Sequence, residues 1–384
     1  MCYCLSNTTQ DSVMALSPET TDSSDLRQAI LNHCAAIRHD GTKDSMRAAH
    51  HSAVLRGKSA DIPRLIAQYG HVLASGSDIC PDRIDPVLIP VSEPHHNAIF
   101  RLARHYWSLP FSKGYGRRLR FLVMDRHNDK LIGILGLQSP PIAWALRDRL
   151  LTFPDKVTKE RGINQTLDAF TVGALPPYSY LIGGKLIALA MTANEVREAY
   201  RSRYGDRVTC MEKRRLGGDL VAITTTSAFG KSSIYNRLTF QKEKVCLSLG
   251  FTEGYGNFHL TTLVPEIRRW LATQGIVTRS GFGSGPRAIW SDITRACTLL
   301  GLDNEKILGH GMAREGFVFP LAVNWQSVIT EIQAPAPHYY DRPFSDLAAW
   351  WKTRWALTRA ASRPEWKEWT SEQTIQAIRE PTHG

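Results

Sequence analysis

From Asp25 onward, apolar residues return at spacings of roughly three and four: Leu26, Ile30, Ala36 and Ile37 mark one helical stripe. Residues 1–24 ahead of them are polar and rich in Ser and Thr, the pattern of a disordered terminus. Helical patterning continues through "TKDSMRAAHHSAVLRG" and "DIPRLIAQYGHVLASG", where Pro63 suits an early helical position. Residues 25–80 therefore read as a helical N-terminal module. The next stretch, "CPDRIDPVLIPVSEPH", carries four prolines in sixteen residues, and 81–94 reads as an extended linker.

Beyond it the period changes repeatedly. "SEPHHNAIFRLARHYW" predicts a helix, with Ser92 as N-cap and Ile99, Leu102 and Tyr106 on one face. "RRLRFLVMD" and "KLIGILGLQS" are strand-like runs joined by the turn "RHND". "TLDAFTVGALPP" is a third strand, closed by Pro176 and Pro177. "SYLIGGKLIALAMTANEVREAYRSRYG" predicts one long helix stopped at Gly205. "LVAITTTSA" is a β-branched strand, "SIYNRLTF" a short helix or turn, and "SLGFTEGYGNFHL" a glycine-rich turn. Residues 265–384 look mainly helical, and positions 350–384 hold five of the ten Trp. The fold class expected is α+β: a mixed-sheet domain over 95–264, flanked by helical N- and C-terminal regions.

Charge adds a class of partner. Among 384 residues, 47 Lys and Arg face 36 Asp and Glu, a net charge of +11, which suits a polyanionic partner such as DNA or RNA; a merely solvated basic surface is the alternative. No basic-then-apolar leader opens the chain, and no apolar run reaches the length of a membrane span. The seven cysteines include no CxxC pair. These features predict a cytoplasmic, reduced protein with no membrane contact and no metal site, and they name no cofactor.

Between 95 and 260 the element order resembles the acetyltransferase-like (GNAT) fold. "DAFTVGALPPYSYLIGGKLIALA" is similar to its cofactor segment, and "LVAITTTSAFGKSSIYNRLTF…SLGFTEGYG" to the strand, helix and Leu-Gly-Phe turn that follow. The resemblance implies coenzyme A pyrophosphate at Gly183 and Gly184, where a helix N-terminus faces outward. The loop departs from the superfamily pattern, because Tyr180 stands where Arg or Gln is expected.

A second resemblance covers more of the chain. "ARHYWSLPFSKGYGRRLRFLVMD", "LIGILGLQSP", "RDRLLTFP", "LIGGKLIALAM", "RYGDRV", "SSIYNRL", "LGFTEGYGN" and "LGHGMAREGFVFPLA", in this order, are similar to the DruA family, the Druantia defence-system component. It implies a role in bacterial antiviral defence beside other subunits, including a large helicase-like protein. It implies no settled chemistry, so whether the chain is an enzyme stays open. An acyltransferase using acetyl-CoA and a DNA-binding accessory protein of a mobile element are the competing functions.

Candidate residues follow, each with two readings. Arg101 and Arg104, beside His95, His96, His105, Tyr106 and Trp107, and Arg117 and Arg118 ahead of the first long strand, form a basic aromatic surface for nucleic acid, or line a helix with one buried aromatic and one solvated basic face. Asp148, bracketed by Arg147 and Arg149, is a general base or a structural ion pair. Tyr235 stands where acetyltransferase-like enzymes keep a general acid, and is equally a core aromatic. "GFGSGP" at 281–286, followed by Arg287 at a helix start, is a phosphate cradle or, since it lacks the Gly-Lys-Ser/Thr ending of a Walker loop, a connector. His310 and Glu315 are an acid/base pair or capping residues, and the C-terminal Trp residues are core anchors or a docking surface.

Overall fold

The computed structural model describes residues 22–37, 51, 61–107, 116–208, 217–228, 230–278, 286–311 and 313–380. The strands are β1 (Pro86–Pro90), β2 (Arg118–Asp125), β3 (Lys130–Gln138), β4 (Thr166–Ala174), β5 (Ala222–Thr226), the small hairpin β6 (Thr239–Phe240) and β7 (Glu243–Lys244), β8 (Leu247–Phe251) and β9 (Glu315–Pro320). The described helices are α1 (Ser23–Ile37), α2 (Ile62–Tyr69), α3 (Pro94–Arg104), α4 (Ala145–Leu150), α5 (Lys156–Asn164), α6 (Gly183–Ala190), α7 (Asn194–Tyr204), α8 (Val264–Thr273), α9 (Pro286–Leu299), α10 (Asn304–Leu308), α11 (Trp325–Thr330), α12 (Phe344–Trp351), α13 (Leu357–Ser362) and α14 (Ser371–Arg379). Lys352–Ala356 joins α12 to α13 as a π-helical segment.

Seven strands form one mixed sheet in the order β1-β2-β3-β4-β5-β9-β8. Only the β4–β5 pairing is parallel; every other neighbour is antiparallel. The parallel pairing runs from Thr166↔Ala222 to Ala169↔Thr225 and stops there, although β4 continues to Ala174. On the other side of β4 the register to β3 slips at the same place: Leu137 faces Ala169 while Gly136 faces Thr171, so Phe170 is an extra, bulged residue. The bulge and the parting of β4 from β5 coincide.

Both faces of the sheet are covered. Alternate residues Leu119, Phe121 and Val123 of β2 join Leu167, Ile223, Phe317 and Phe319 under α6, α7 and the C-terminal helices, with Trp351 fully buried among them. Enclosing one such side chain contributes about 1.5–3 kcal/mol. On the opposite face Leu122 and Ile134 pack beneath α2, α3 and Ile378 of α14, and Val318 packs beneath Trp325, Val328 and Ile329 of α11. Helices α1, α8, α9 and α10 form a separate apolar cluster through Leu26, Ile30, Ile267, Trp270, Ile293 and Ile307.

The architecture differs from serial modules in four places. The 81–94 stretch, expected to be an extended linker, opens with a 3-10 turn at Pro81–Arg83, gives the sheet its first strand at Pro86–Pro90 and ends where Pro94 starts α3. β9 arrives from the C-terminal part and inserts between β5 and β8. Within the N-terminal stretch, α1 packs with α8 and α9 while α2 packs on α3, so the two helices belong to different clusters. The long helix predicted over 179–205 is two helices, because Ala193 turns extended (ψ 146°) and Asn194 is fastened to Arg342 and Asp341 by its backbone N–H and its side-chain amide. Residues 1–21, nearly all of 42–57 and the loop 281–285 lie outside the described residues.

The β1 edge has a specific chemistry. Arg126 N–H donates to Asp85 O, and Val91 N–H donates to Arg120 O in the same register. Residues 85, 87, 89 and 91 therefore point their backbone groups at β2, and 86, 88 and 90 point theirs outward. Two of those three are Pro86 and Pro90, which have no N–H to offer.

Candidate functional site

A polar row crosses the sheet face opposite α6. The registers place Arg118 beside Gln138, Gln138 beside Asp168, and Asp168 beside Thr224. Arg118 Nη2 reaches Gln138 Oε1 at 3.5 Å, and Thr224 Oγ1 donates to Asp168 Oδ1 at 2.9 Å. Burial pushes the Asp168 carboxyl up to about 6, against the lowering pull of Thr224, Arg314 and Gln138. Arg314 comes in from the β9 end, with Nη2 on Thr226 Oγ1 at 2.7 Å and Nε on Ser227 O at 2.6 Å. A carboxylate that changes charge near neutrality, flanked by hydroxyl, amide and guanidinium groups where two parallel strands separate, has the physical character of an acid/base group.

Asp148 has the opposite environment. Its Oδ1 accepts from Arg147 Nε at 2.9 Å and Nη2 at 2.7 Å, its Oδ2 accepts from Lys159 at 2.8 Å, and Trp144 N–H also donates to it. Burial would raise its pKa, but the bonds from Lys159, Arg147 and Trp144 outweigh that and lower it. Arg147 also donates to Pro141 O and Ile142 O, both at 2.8 Å, so it ties the loop after β3 to α4. Tyr235 lies on the other face of the sheet, buried against Phe317 at 4.8 Å and Phe319 at 5.8 Å. Burial pushes its hydroxyl up to about 12, only partly offset by the bond to Thr225. The structure does not bring Asp148 and Tyr235 into one group: they belong to different faces of the sheet.

Gly183 and Gly184 open α6 after a loop whose Pro176–Pro177 peptide is cis. A Cβ on Gly183 would meet Tyr178 O at 2.7 Å and Ala174 Cβ at 2.8 Å; one on Gly184 would meet Ile234 Cγ1 at 3.0 Å. The preceding Ile182 takes a left-handed φ of 62°, strained for a β-branched residue, and its carbonyl accepts from Trp351 Nε1 at 3.0 Å. The glycines thus let the helix start pack closely on its surroundings.

The four arginines expected to meet nucleic acid separate. Arg104 is buried, with burial drawing its pKa down to about 10, and donates to Trp107 O. Arg117 is buried and donates to Asn164 O and Tyr200 Oη. Arg101 remains half-exposed but pairs with Asp61. Arg118 stacks over Phe170 at 5.1 Å and belongs to the polar row. Sequence reasoning missed the partners that Arg118 does have: Arg120, over Phe100 at 5.6 Å, and the exposed Arg203 and Arg207, each 5.9 Å from the Tyr204 ring. Burial, then the neighbouring Arg203, lowers the pKa of Arg120. Among the described residues no carboxylate forms an ion pair with Arg120, Arg203 or Arg207. The signal for this cluster was the alternation "RRLR" and the basic end of "EAYRSRYGDR", which only the fold brings together.

His310 and Glu315 make different contacts. His310 meets the His259 ring at 5.3 Å, whereas Glu315 Oε1 accepts from Ser248 Oγ at 2.7 Å. Three more C-terminal indoles, besides Trp351, bond inside the chain: Trp350 to Thr239 O at 2.8 Å, Trp366 to Ala360 O at 3.2 Å, and Trp369 to Thr374 Oγ1 at 2.8 Å. Among the described residues no group of His, Cys, Asp or Glu has metal-binding geometry, and no helix is long and apolar enough to cross a membrane.

The blocks quoted from the sequence are thus spread over both faces and the helices between them. The family model described as Druantia protein DruA matches residues 38–331. The chain belongs to the DruA family. The Druantia protein DruA of Escherichia coli (strain UMEA 4076-1) is 34% identical over 344 residues, covering 88% of this chain and 85% of its own length. No solved structure matches. Membership in the DruA family implies a component of Druantia anti-phage defence.

Proposed function

We propose that this DruA-family protein serves anti-phage defence by contacting nucleic acid, working beside other subunits of its system, a large helicase-like protein among them. The observation that carries the nucleic-acid reading is the cluster of Arg118, Arg120, Arg203 and Arg207 with Phe100, Phe170 and Tyr204 beneath their guanidinium groups. Arg120, Arg203 and Arg207, which form no ion pair with a carboxylate among the described residues, are crowded cations that an external polyanion would stabilise, and the net charge of +11 points the same way. The partly exposed rings of Phe170, Tyr106 and Trp107 beside them offer stacking surface. The test is fluorescence anisotropy with labelled single- and double-stranded DNA and RNA over a salt series. Binding that weakens steeply with salt, and that falls at least about tenfold in R203E/R207E, supports the proposal. Wild-type protein that binds none of these nucleic acids, or a double variant that binds as well as wild type, overturns it.

A second reading has its own support. Antiparallel strands leading to one parallel pair, a bulge where that pair parts and a glycine-opened helix after β4 agree with an acetyltransferase-like core. Asp168 is then a better placed acid/base group than Tyr235 or Asp148. Calorimetric titration with coenzyme A decides it, and heat of binding lost in a Gly183→Val variant is the supporting result. No binding by the wild type ends this reading.

A further inference from the structure

Arg342 follows a short extended segment that leads into α12. Its side chain is buried, at 5% exposure, and its guanidinium lies 4.1 Å from the Tyr340 ring centre. Its Nη1 is withdrawn from solvent and has no hydrogen-bond partner. No carboxylate forms an ion pair with it among the described residues. The acidic group that faces it is Glu243, exposed on β7, which acts at longer range. Arginine is almost never buried without a counter-charge, because the desolvated cation has nothing to offset its lost hydration.

The side chain borders a cleft of about 240 Å³. Lys244 stands beside it as a second cation, Trp325 and Tyr340 line its walls, and Leu247 and Val323 belong to its lining while remaining 45% and 65% exposed. A buried guanidinium on the cleft wall, a neighbouring exposed ammonium and an apolar, partly aromatic lining are the parts of a site that orients an anionic head and shelters a flat body. This cleft lies among β7, β8, β9 and α11, apart from the polar row and from the arginine cluster.

We propose that the cleft binds a small organic anion, its carboxylate or phosphate held by Arg342 and Lys244 and its apolar body lying against Trp325, Tyr340, Leu247 and Val323. Isothermal titration of the full chain with benzoate and with phenyl phosphate tests this, and the tighter of the two identifies the head. One-to-one binding of either is expected, with inorganic phosphate at least about tenfold weaker because it lacks the body. R342Q abolishes the binding. Because that substitution lies in a buried position, K244A on the exposed hairpin is the second variant, and it weakens binding by about threefold to tenfold. E243Q, which removes the competing carboxylate, tightens it. Silence of both aromatic anions with the wild type overturns the proposal, as does K244A and R342Q binding like wild type. An E243Q variant that is strongly destabilised and binds no better also overturns it, and would assign Arg342 to Glu243 instead.

Discussion

Asp148 and Asp168 sit twenty positions apart in the sequence, and the same side chain is put to opposite use. Asp148 is surrounded by donors: two bonds from Arg147, one from Lys159 and one from Trp144 N–H hold it ionised. Asp168 receives a hydroxyl bond from Thr224 and an amide bond from Gln138, and burial dominates, bringing its carboxyl up to about 6. The first aspartate is a fastener that closes a loop onto α4. The second is a group whose charge is undecided near neutral pH. Flanking arginines in the sequence marked out the fastener; the responsive group lies in the middle of a strand with no charged neighbour.

The largest expected effect comes from breaking the fastener. D148A leaves Arg147 buried and short of its counter-charge, and unfolding in urea should show a loss of about 3 kcal/mol; a loss under about 1 kcal/mol would mean the pair is dispensable. Its contribution is present above the ordinary carboxylate pKa and disappears as pH falls through the lowered value, so the D148A deficit should close in acid.

Asp168 slopes the other way. Its folded pKa exceeds the unfolded one, so stability is lost as pH rises from about 4 to about 6, by roughly 2–3 kcal/mol. D168N should therefore be more stable than wild type at pH 7 by about 2 kcal/mol, and equal to it below pH 4. A wild-type stability that stays flat across that window, with D168N weaker at pH 7, would erase the contrast between the two residues. A smaller effect is expected from T224V, which removes one stabiliser of the ionised form: the Asp168 titration, followed by carbon NMR, moves above its value of about 6. Smallest is Y235F, which keeps the packing on Phe317 and Phe319 and gives up one bond to Thr225, costing about 1 kcal/mol. If Y235F instead abolished coenzyme A binding or acyl transfer while folding normally, Tyr235 would regain the role its position suggested.

Local pattern was legible where one segment determines its own structure. The β2–β3 hairpin, β4 with its proline stop and β5 all follow from short-range alternation and turn residues. What pattern could not carry was pairing across distance. Nothing in "GMAREGFVFPLA" says that it enters the sheet beside β5, more than eighty residues earlier, because strand order depends on which apolar faces meet. The break between α6 and α7 has no Pro or Gly to announce it; it depends on Asn194 finding Arg342 and Asp341. The candidate site was hidden for the same reason. Asp168 occupies what alternation alone presents as an ordinary polar strand position, and Arg104 and Arg117 look like surface cations until α3 and α7 enclose them.

The two prolines of β1 bear on assembly as well as on local pairing. With Pro86 and Pro90 occupying two of its three outward positions, that end of the sheet offers a visiting strand only the N–H of Leu88. The opposite end, β8, has no proline. A sheet that can be extended at one border only can join one further sheet and is then finished, whereas two open borders would allow growth without limit. Strand addition at such a sheet is confined to closed pairings and does not run on into filaments.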